Sequence, residues 1–246
     1  AGLALRLALA LSCVLLASPA FADEFHYNNM LIGERPSGMG GAYTAISDDT
    51  SGLFYNPAGV AYSRGGNLSA SVNAYHNSRK KYKDVLGGAG WTRESTSIVP
   101  NFFGIVQSLG KGKIGFSYAI TDAVLEDQDQ TFENFKGCGG ACTINHFAIN
   151  VNTEENVTNL GPSYAREIVK DLSAGVTLYL HQRRKQEILN QFLVVDSNRY
   201  ELLNSNTETD ELGIRPIAGL TWSPFKKVAM GLTVSKTLVL TSDTTT

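Results

Sequence analysis

Residues 171–181 read DLSAGVTLYLH and alternate without a break. Leu172, Ala174, Val176, Leu178 and Leu180 fall on one side of an extended chain, and Ser173, Gly175, Thr177, Tyr179 and His181 on the other. Successive side chains of a strand point to opposite faces, so this segment is a strand with one apolar face and one small, polar face. The split returns at 228–237, where Val228, Met230, Leu232 and Val234 oppose Ala229, Gly231, Thr233 and Ser235. At 114–121, Ile114, Phe116, Tyr118 and Ile120 oppose Gly115, Ser117, Ala119 and Thr121, and in the first strand Leu68, Ala70, Val72 and Ala74 oppose Ser69, Ser71 and Asn73. Three less regular strands are expected at 96–108, 156–167 and 211–223, making seven in all. Each of these three contains a proline, Pro100, Pro162 or Pro216, which cannot donate to a ladder, so a bulge or local irregularity is expected in each.

Short and long connections take turns between the strands. Residues 109–112, 168–170 and 224–227 are tight turns, whereas 77–95, 122–155 and 182–210 read as long polar loops. Outer-membrane barrels have this asymmetry, with short periplasmic turns and longer extracellular loops. Strands of about 11 residues, rising roughly 3.3 Å each and tilted near 45°, span roughly 25 Å, the height of the apolar band of such barrels. A soluble, exported β-sandwich would alternate just as well with its apolar face turned inward. The strand lengths, the regular connections and the glycine-rich opposite face favour an all-β, transmembrane, antiparallel β-barrel over that module.

The N-terminus points to export. Arg6 precedes an apolar run at 7–17, and Ala20-Phe21-Ala22 supplies a small-x-small cleavage pattern, so residues 1–22 read as a secretory signal peptide. Cys13 lies inside the apolar run, followed by Val14-Leu15-Leu16, and is an ordinary residue of it. No segment reaches the roughly 20 apolar residues that a spanning helix needs. With 18% charged residues and a net charge of −2, the chain lacks the basic surplus of a nucleic-acid binder, and no nucleic-acid partner is expected. Cys138 and Cys142 remain after cleavage, spaced C-G-G-A-C in a polar stretch of an exported chain, where a local disulfide is the expected reading. A metal site would need more ligands than His146, the one nearby candidate, so no metal and no cofactor are expected. The chain starts without Met and ends in Ser242-Asp243-Thr244-Thr245-Thr246 with no strand to finish, and it reads as a fragment.

Residues 33–61, GERPSGMGGAYTAISDDTSGLFYNPAGVA, do not read as a strand. Gly38, Gly40 and Gly41 surround Met39 and permit positive φ or close backbone contact, and 42–46 fits one short helical turn. Asp48 and Asp49 stand where they can accept backbone N–H bonds or pair with Arg35 or a lumen arginine, and Asn56-Pro57 is a turn signal. Neighbouring carboxylates without a nucleophile or histidine beside them do not make an acid–base pair, so no catalysis is expected. The segment 23–65 reads as a structural plug, ahead of barrel strands over 66–246.

The order G-M-G-G-A, A-Y-T-A, D-D and Y-N-P-A-G in this segment closely resembles the N-terminal hatch of the FadL/TodX family of outer-membrane hydrocarbon transporters, with Asn56, Pro57 and Ala58 matching that family's NPA signature. PorV-like barrels share much of the pattern. The motif covers about thirty residues, and the strand plan agrees over the remainder. The resemblance implies a fourteen-stranded, monomeric barrel of the outer membrane, in contact with outer-membrane lipid and plugged by its N-terminal segment. Apolar ligands such as long-chain fatty acids would be captured by outer loops, pass a pocket beside the hatch, and leave through a gap at a kinked third strand. Here the third strand, 113–122, carries no proline or other kink marker and departs from that pattern. Gly38, Gly40, Gly41, Asp48, Asp49, Asn56, Pro57 and Ala58 would carry the hatch and its gating. In the third long segment, Ile188, Leu189, Phe192, Leu193 and Val195 form an apolar cluster in polar surroundings, which could gather a hydrophobic ligand or pack the loop onto the rim. No P-loop is present, so passage would draw on binding differences alone. The competing readings are a PorV-like docking barrel and a soluble exported binding module.

Overall fold

The computed structural model describes residues 30–246 apart from Gly65, Gly87, Ser197, Lys226 and Lys227. The expected signal peptide and the first residues of the plug lie outside the described residues, as do the side chains of Ser71, Val72, Asn73 and Ala74. The strands are β1 (Asn67–Leu86), β2 (Ala89–Leu109), β3 (Gly112–Gly137), β4 (Cys142–Val169), β5 (Leu172–Val195), β6 (Arg199–Phe225), β7 (Val228–Ser235) and β8 (Leu238–Thr245). All belong to one antiparallel sheet in sequential order, so the described strands do not make the two layers of a sandwich. The sheet is not closed, and β1 and the β7–β8 side form its edges.

β7 and β8 both lie along β6. The register runs from Ile217↔Ser235 to Ile214↔Leu238, so they are two lengths of one seventh strand, interrupted at 236–237. The interruption lies opposite Pro216, which has no N–H to give, and Lys236 N–H reaches the Pro216 carbonyl at 3.4 Å. Pro100 falls at a slip between Ser71↔Phe102 and Asn73↔Val99. Pro162 gives a local irregularity without a bulge: it stays in register against Phe116, and toward β5 the ladder skips two pairs without slipping. Although it lacks a proline, β3 bulges at Thr121, because Ile120 pairs with Thr158 and Asp122 with Val157.

The segments 77–95, 122–155 and 182–210 are not loops. They continue the ladder almost to the hairpin tips, giving strands of 26, 28, 24 and 27 residues for β3 to β6. Charge on both faces hides the period-two signal there. Strand-favouring Thr, Val, Ile and Phe still recur in opposed arms of nearly equal length, so the backbone pairs on. At the β3–β4 tip, Cys138 and Cys142 are disulfide-bonded, with Cα atoms 5.5 Å apart. Thr143 N–H donates to the Asp196 carboxylate at 2.9 Å, tying the β5–β6 tip to β4 and holding that carboxyl below its usual range.

The two faces of the sheet differ as the sequence implies. Outward, Phe103, Ile114, Phe116, Leu160, Tyr164, Val176, Leu178, Leu180, Leu220, Trp222, Met230 and Leu232 are all exposed, and the register joins them into one band across β2 to β7. On β5 the band stops where Gln182 and Arg184 begin, so about ten of its residues are apolar-faced and the other half stands beyond. Inward, Ser173, Gly175, Thr177, Tyr179, His181 and Arg183 are buried.

The disulfide closes a short loop at an exposed tip. Cys138→Ser should therefore cost about 2 kcal/mol at most, with hydrogen-exchange protection falling over 136–144 and unchanged over 172–181. Lost protection in β5 would mean that the bond anchors more than its own tip.

Candidate functional site

The plug is irregular backbone held inside the sheet's concave face. It comprises α1 (Glu34–Gly38), a turn-rich stretch, α2 (Gly52–Tyr55) and a 3-10 helix (Pro57–Tyr62). Gly40 and Gly41, at φ 62° and 83°, supply the left-handed turn after α1, whereas Gly38 has an ordinary φ. The helical turn expected at 42–46 does not form. Tyr43 is fully buried there, and the Thr44 carbonyl turns away to meet Asn56. Asp48 and Asp49 both pair with Arg35, at 2.7 and 3.3 Å, and Asp49 also accepts the Ser51 N–H at 2.8 Å. These contacts fix the exposed mouth of the plug.

Asn56 is its buried hub, with none of its surface exposed. Its Oδ1 accepts the Ala58 N–H at 3.1 Å and so caps the 3-10 helix, whose first position Pro57 fills without losing a donor. Its Nδ2 donates to the Thr44 carbonyl at 2.8 Å and, across to the wall, to the Leu220 carbonyl and Thr221 Oγ1, each at 3.1 Å. The wall answers the plug's remaining carbonyls with hydroxyls. Ser173 donates to Ala58 at 2.8 Å, Thr177 to Leu53 at 2.7 Å and Thr233 to Tyr55 at 3.0 Å. An irregular backbone cannot satisfy itself, so these donors replace a ladder.

Three wall glycines leave room for this contact. A methyl on Gly219 would overlap Asn56 Oδ1, one on Gly231 would overlap the Thr44 carbonyl, and one on Gly175 would lie 2.5 Å from the Pro57 carbonyl carbon. Gly175 and Gly219 are directly paired across β5 and β6. The sequence reading noted glycine on the inner face but did not find this notch. Its signal was glycine at the inner position of three successive strands.

A second feature lies between β2 and β3. Their ladder runs to Phe102↔Ala119 and resumes at Ser95↔Glu126, with no pairs recorded between these among the described residues. The start of the plug occupies that lapse: Asn101 Nδ2 donates to the Leu31 carbonyl at 2.8 Å, and Met30 N–H to the carbonyl of the bulged Thr121 at 3.4 Å. Met30 is buried there against Ile120 and Ala123.

Above the plug the inner face carries charge that the sequence reading missed. Glu126, 2% exposed, is held by Lys80 and Arg93, and Arg183 is held by Glu155 and Glu211 at 2.7 and 3.2 Å. Beyond this belt the expected apolar cluster divides. Leu189 and Leu193 take the inner face, opposite Val151 and Phe147, while Ile188 and Phe192 point out, where Phe192 meets the His146 ring at 5.9 Å. The cluster belongs to a paired strand, so alternation separates residues that a loop could have gathered.

Asn56→Ala removes four hydrogen bonds from a fully buried group and should destabilise the seated plug by about 3 kcal/mol or more. Gly219→Ala should act in the same direction, while Gly38→Ala, whose added methyl meets nothing within 4 Å, should leave it unchanged. Limited proteolysis within residues 30–64 reads the difference, and equal resistance in all three would rule out the notch.

No family model, no curated protein and no solved structure matches this chain, so its role must be argued from this geometry.

Proposed function

We propose that the chain forms the opening strands of an outer-membrane β-barrel, of fourteen strands by resemblance, through which hydrophobic small molecules such as long-chain fatty acids pass without an energy source of their own. The observation that carries this reading is the inversion of the sheet. Its apolar band faces outward, while its small, polar face holds a hydrogen-bonded plug. A water-soluble protein would bury that band; a lipid bilayer solvates it. Free strand edges at β1 and at β7–β8 call for further strands to complete a wall, since an open edge is not tolerated in hydrocarbon.

The plug gives the wall a place to yield. At the β2–β3 lapse Met30 and Leu31 contact both strands, whereas elsewhere the plug is held through Asn56 and the wall hydroxyls. Withdrawal of 30–31 would open a sideways passage while the rest of the plug stays seated. The bulge at Thr121 and the missing pairs beside it take the place of the kink marker that the sequence lacks.

One observation favours the docking alternative: Tyr200 and Leu202, at the outer β5–β6 hairpin, are 77% and 66% exposed, far from the band. A barrel that mainly docks a secreted protein would use such residues, and would co-purify with that cargo while leaving hexadecanoate uptake unaffected by its deletion.

Val176→Cys, Leu178→Cys, Met230→Cys and Leu232→Cys in the full-length protein should resist a water-soluble maleimide in intact outer-membrane vesicles. Gln186→Cys, beyond the band, should react. If the first four label as fast as Gln186→Cys, the sheet does not sit in a membrane.

A further inference from the structure

On β3 to β6 the outward positions from the short turns up to Thr158 and Gln182 hold one charged residue, Arg166 of β4. It is paired with Gly112 on one side and Ala174 on the other, and Tyr164 shares its face. The apolar band does not end with it. Leu172 and Trp222, paired with one another, lie one outward row nearer the turns, and Trp222 is 49% exposed. Arg166 is itself exposed, and among the described residues no carboxylate is ion-paired with it. Glu167, next in sequence, faces inward opposite Ser173 and accepts the Asp171 N–H at 2.9 Å.

Other polar groups converge on this place, and Gly112 is what lets one of them approach. A methyl on Gly112 would stand 2.6 Å from the Tyr164 hydroxyl, so the Tyr164 side chain lies across Gly112 with its oxygen at the level of Arg166. Lys111, exposed in the β2–β3 turn, adjoins Gly112 in the chain. A guanidinium, a phenol and an ammonium, all able to donate, therefore stand within two residues of one another along the register. On the side away from the turns they give way to the exposed Ile114, Val176 and Leu220. A charge on the lipid-facing side of a barrel is costly at the midplane and nearly free at the interface, where a long side chain reaches out to the headgroups. There a guanidinium matches a phosphate in two-point fashion, and a second cation beside it favours a headgroup of net negative charge.

We propose that Arg166, Tyr164 and Lys111 form a site on the outside of the wall for an anionic glycerophospholipid of the periplasmic leaflet. The guanidinium and the phenol hold its phosphate, Lys111 adds the second positive charge, and its acyl chains lie along Ile114, Val176 and Leu220. The inference rests on the membrane reading and deepens it, because the lipid beside the wall acquires a chemical class and an address. The other end of the same face is unlike it. Beyond Gln182 the outward positions carry Asp127, Asp129, Glu154, Glu208 and Asp210, with Arg184 already paired to Glu208 and Asp210. That collar repels an anionic headgroup, so the site belongs to the short-turn end alone.

The test is native mass spectrometry of the detergent-solubilised, full-length protein with dioleoyl phosphatidylglycerol or dioleoyl phosphatidylcholine, which share their acyl chains and differ in net charge. The native protein should retain phosphatidylglycerol over phosphatidylcholine by about fivefold or more, the weight of a single cation near a membrane surface. Arg166→Gln should bring the two most of the way to parity, and Lys111→Gln and Tyr164→Phe should each lower the preference in part. Arg184→Gln, which removes an equal charge from the far end of the wall, should leave it unchanged. Heat-modifiable migration of each variant on a gel establishes that its barrel is intact. Equal retention of both lipids by the native protein overturns the site, as does an undiminished preference in Arg166→Gln or an equal loss in Arg184→Gln. Displacement of phosphatidylglycerol by inorganic phosphate also overturns it, since the site would then be one for the free anion. In all these outcomes phosphatidylcholine is still retained and the membrane reading stands. Retention of neither lipid by the native protein removes that reading, and the site with it.

Discussion

A buried carboxamide leads the hydrogen bonds that tie the plug of this protein to its wall. Asn56 has partners on both sides of the boundary: its own helix start and Thr44 within the plug, and the acceptors Leu220 and Thr221 in β6. Because it is wholly buried, each of those bonds must be made inside the protein, so the distance between plug and wall is fixed to hydrogen-bond length. Glycine at 175, 219 and 231 and hydroxyls at 173, 177, 221 and 233 follow from that distance. A larger side chain would push the plug away, and an apolar one would orphan its carbonyls.

The same constraint explains why the sheet is inverted relative to a soluble one. With much of the concave face committed to contact with the plug, Val176, Leu178, Leu180, Met230 and Leu232 lie on the convex face, where they join the band across β2 to β7. Higher up, the inner face changes character again. Ion pairs around Glu126 and Arg183 are followed by Val151, Leu189 and Leu193, so the inner surface is layered as apolar floor, charged belt and apolar rim.

Much of this was legible from residues alone. The faces of β3, β5 and β7 follow from strict alternation, and the joint between Asn56 and Pro57 follows from turn chemistry, since both depend on neighbours in sequence. Strand lengths were not legible. Ladder hydrogen bonds are made by backbone, and the outer halves of β3 to β6 mix charge onto both faces, so composition resembled loop where pairing continues. The pairing of Arg35 with the two aspartates was among the alternatives that the sequence offered; the burial of Glu126 was not, because Lys80 and Arg93 reach it from two other strands. The third strand taught the reverse lesson. Its irregularity at Thr121 comes from the partner register and the bond to Met30, neither of which marks the strand's own sequence.

The seat of Asn56 has a temporal side. Its partners Leu220 and Thr221 lie 164 and 165 residues further along the chain, so the plug leaves synthesis long before its socket exists. Contacts of such sequence separation form late and slowly. Until β5 and β6 are side by side, the carbonyls of residues 53–58 must be hydrated or shielded by other means. A wall that zipped up first would have trapped solvent where the plug belongs. The glycine notch therefore acts as a mould as much as a fit: the nascent wall has to be laid around its own stopper.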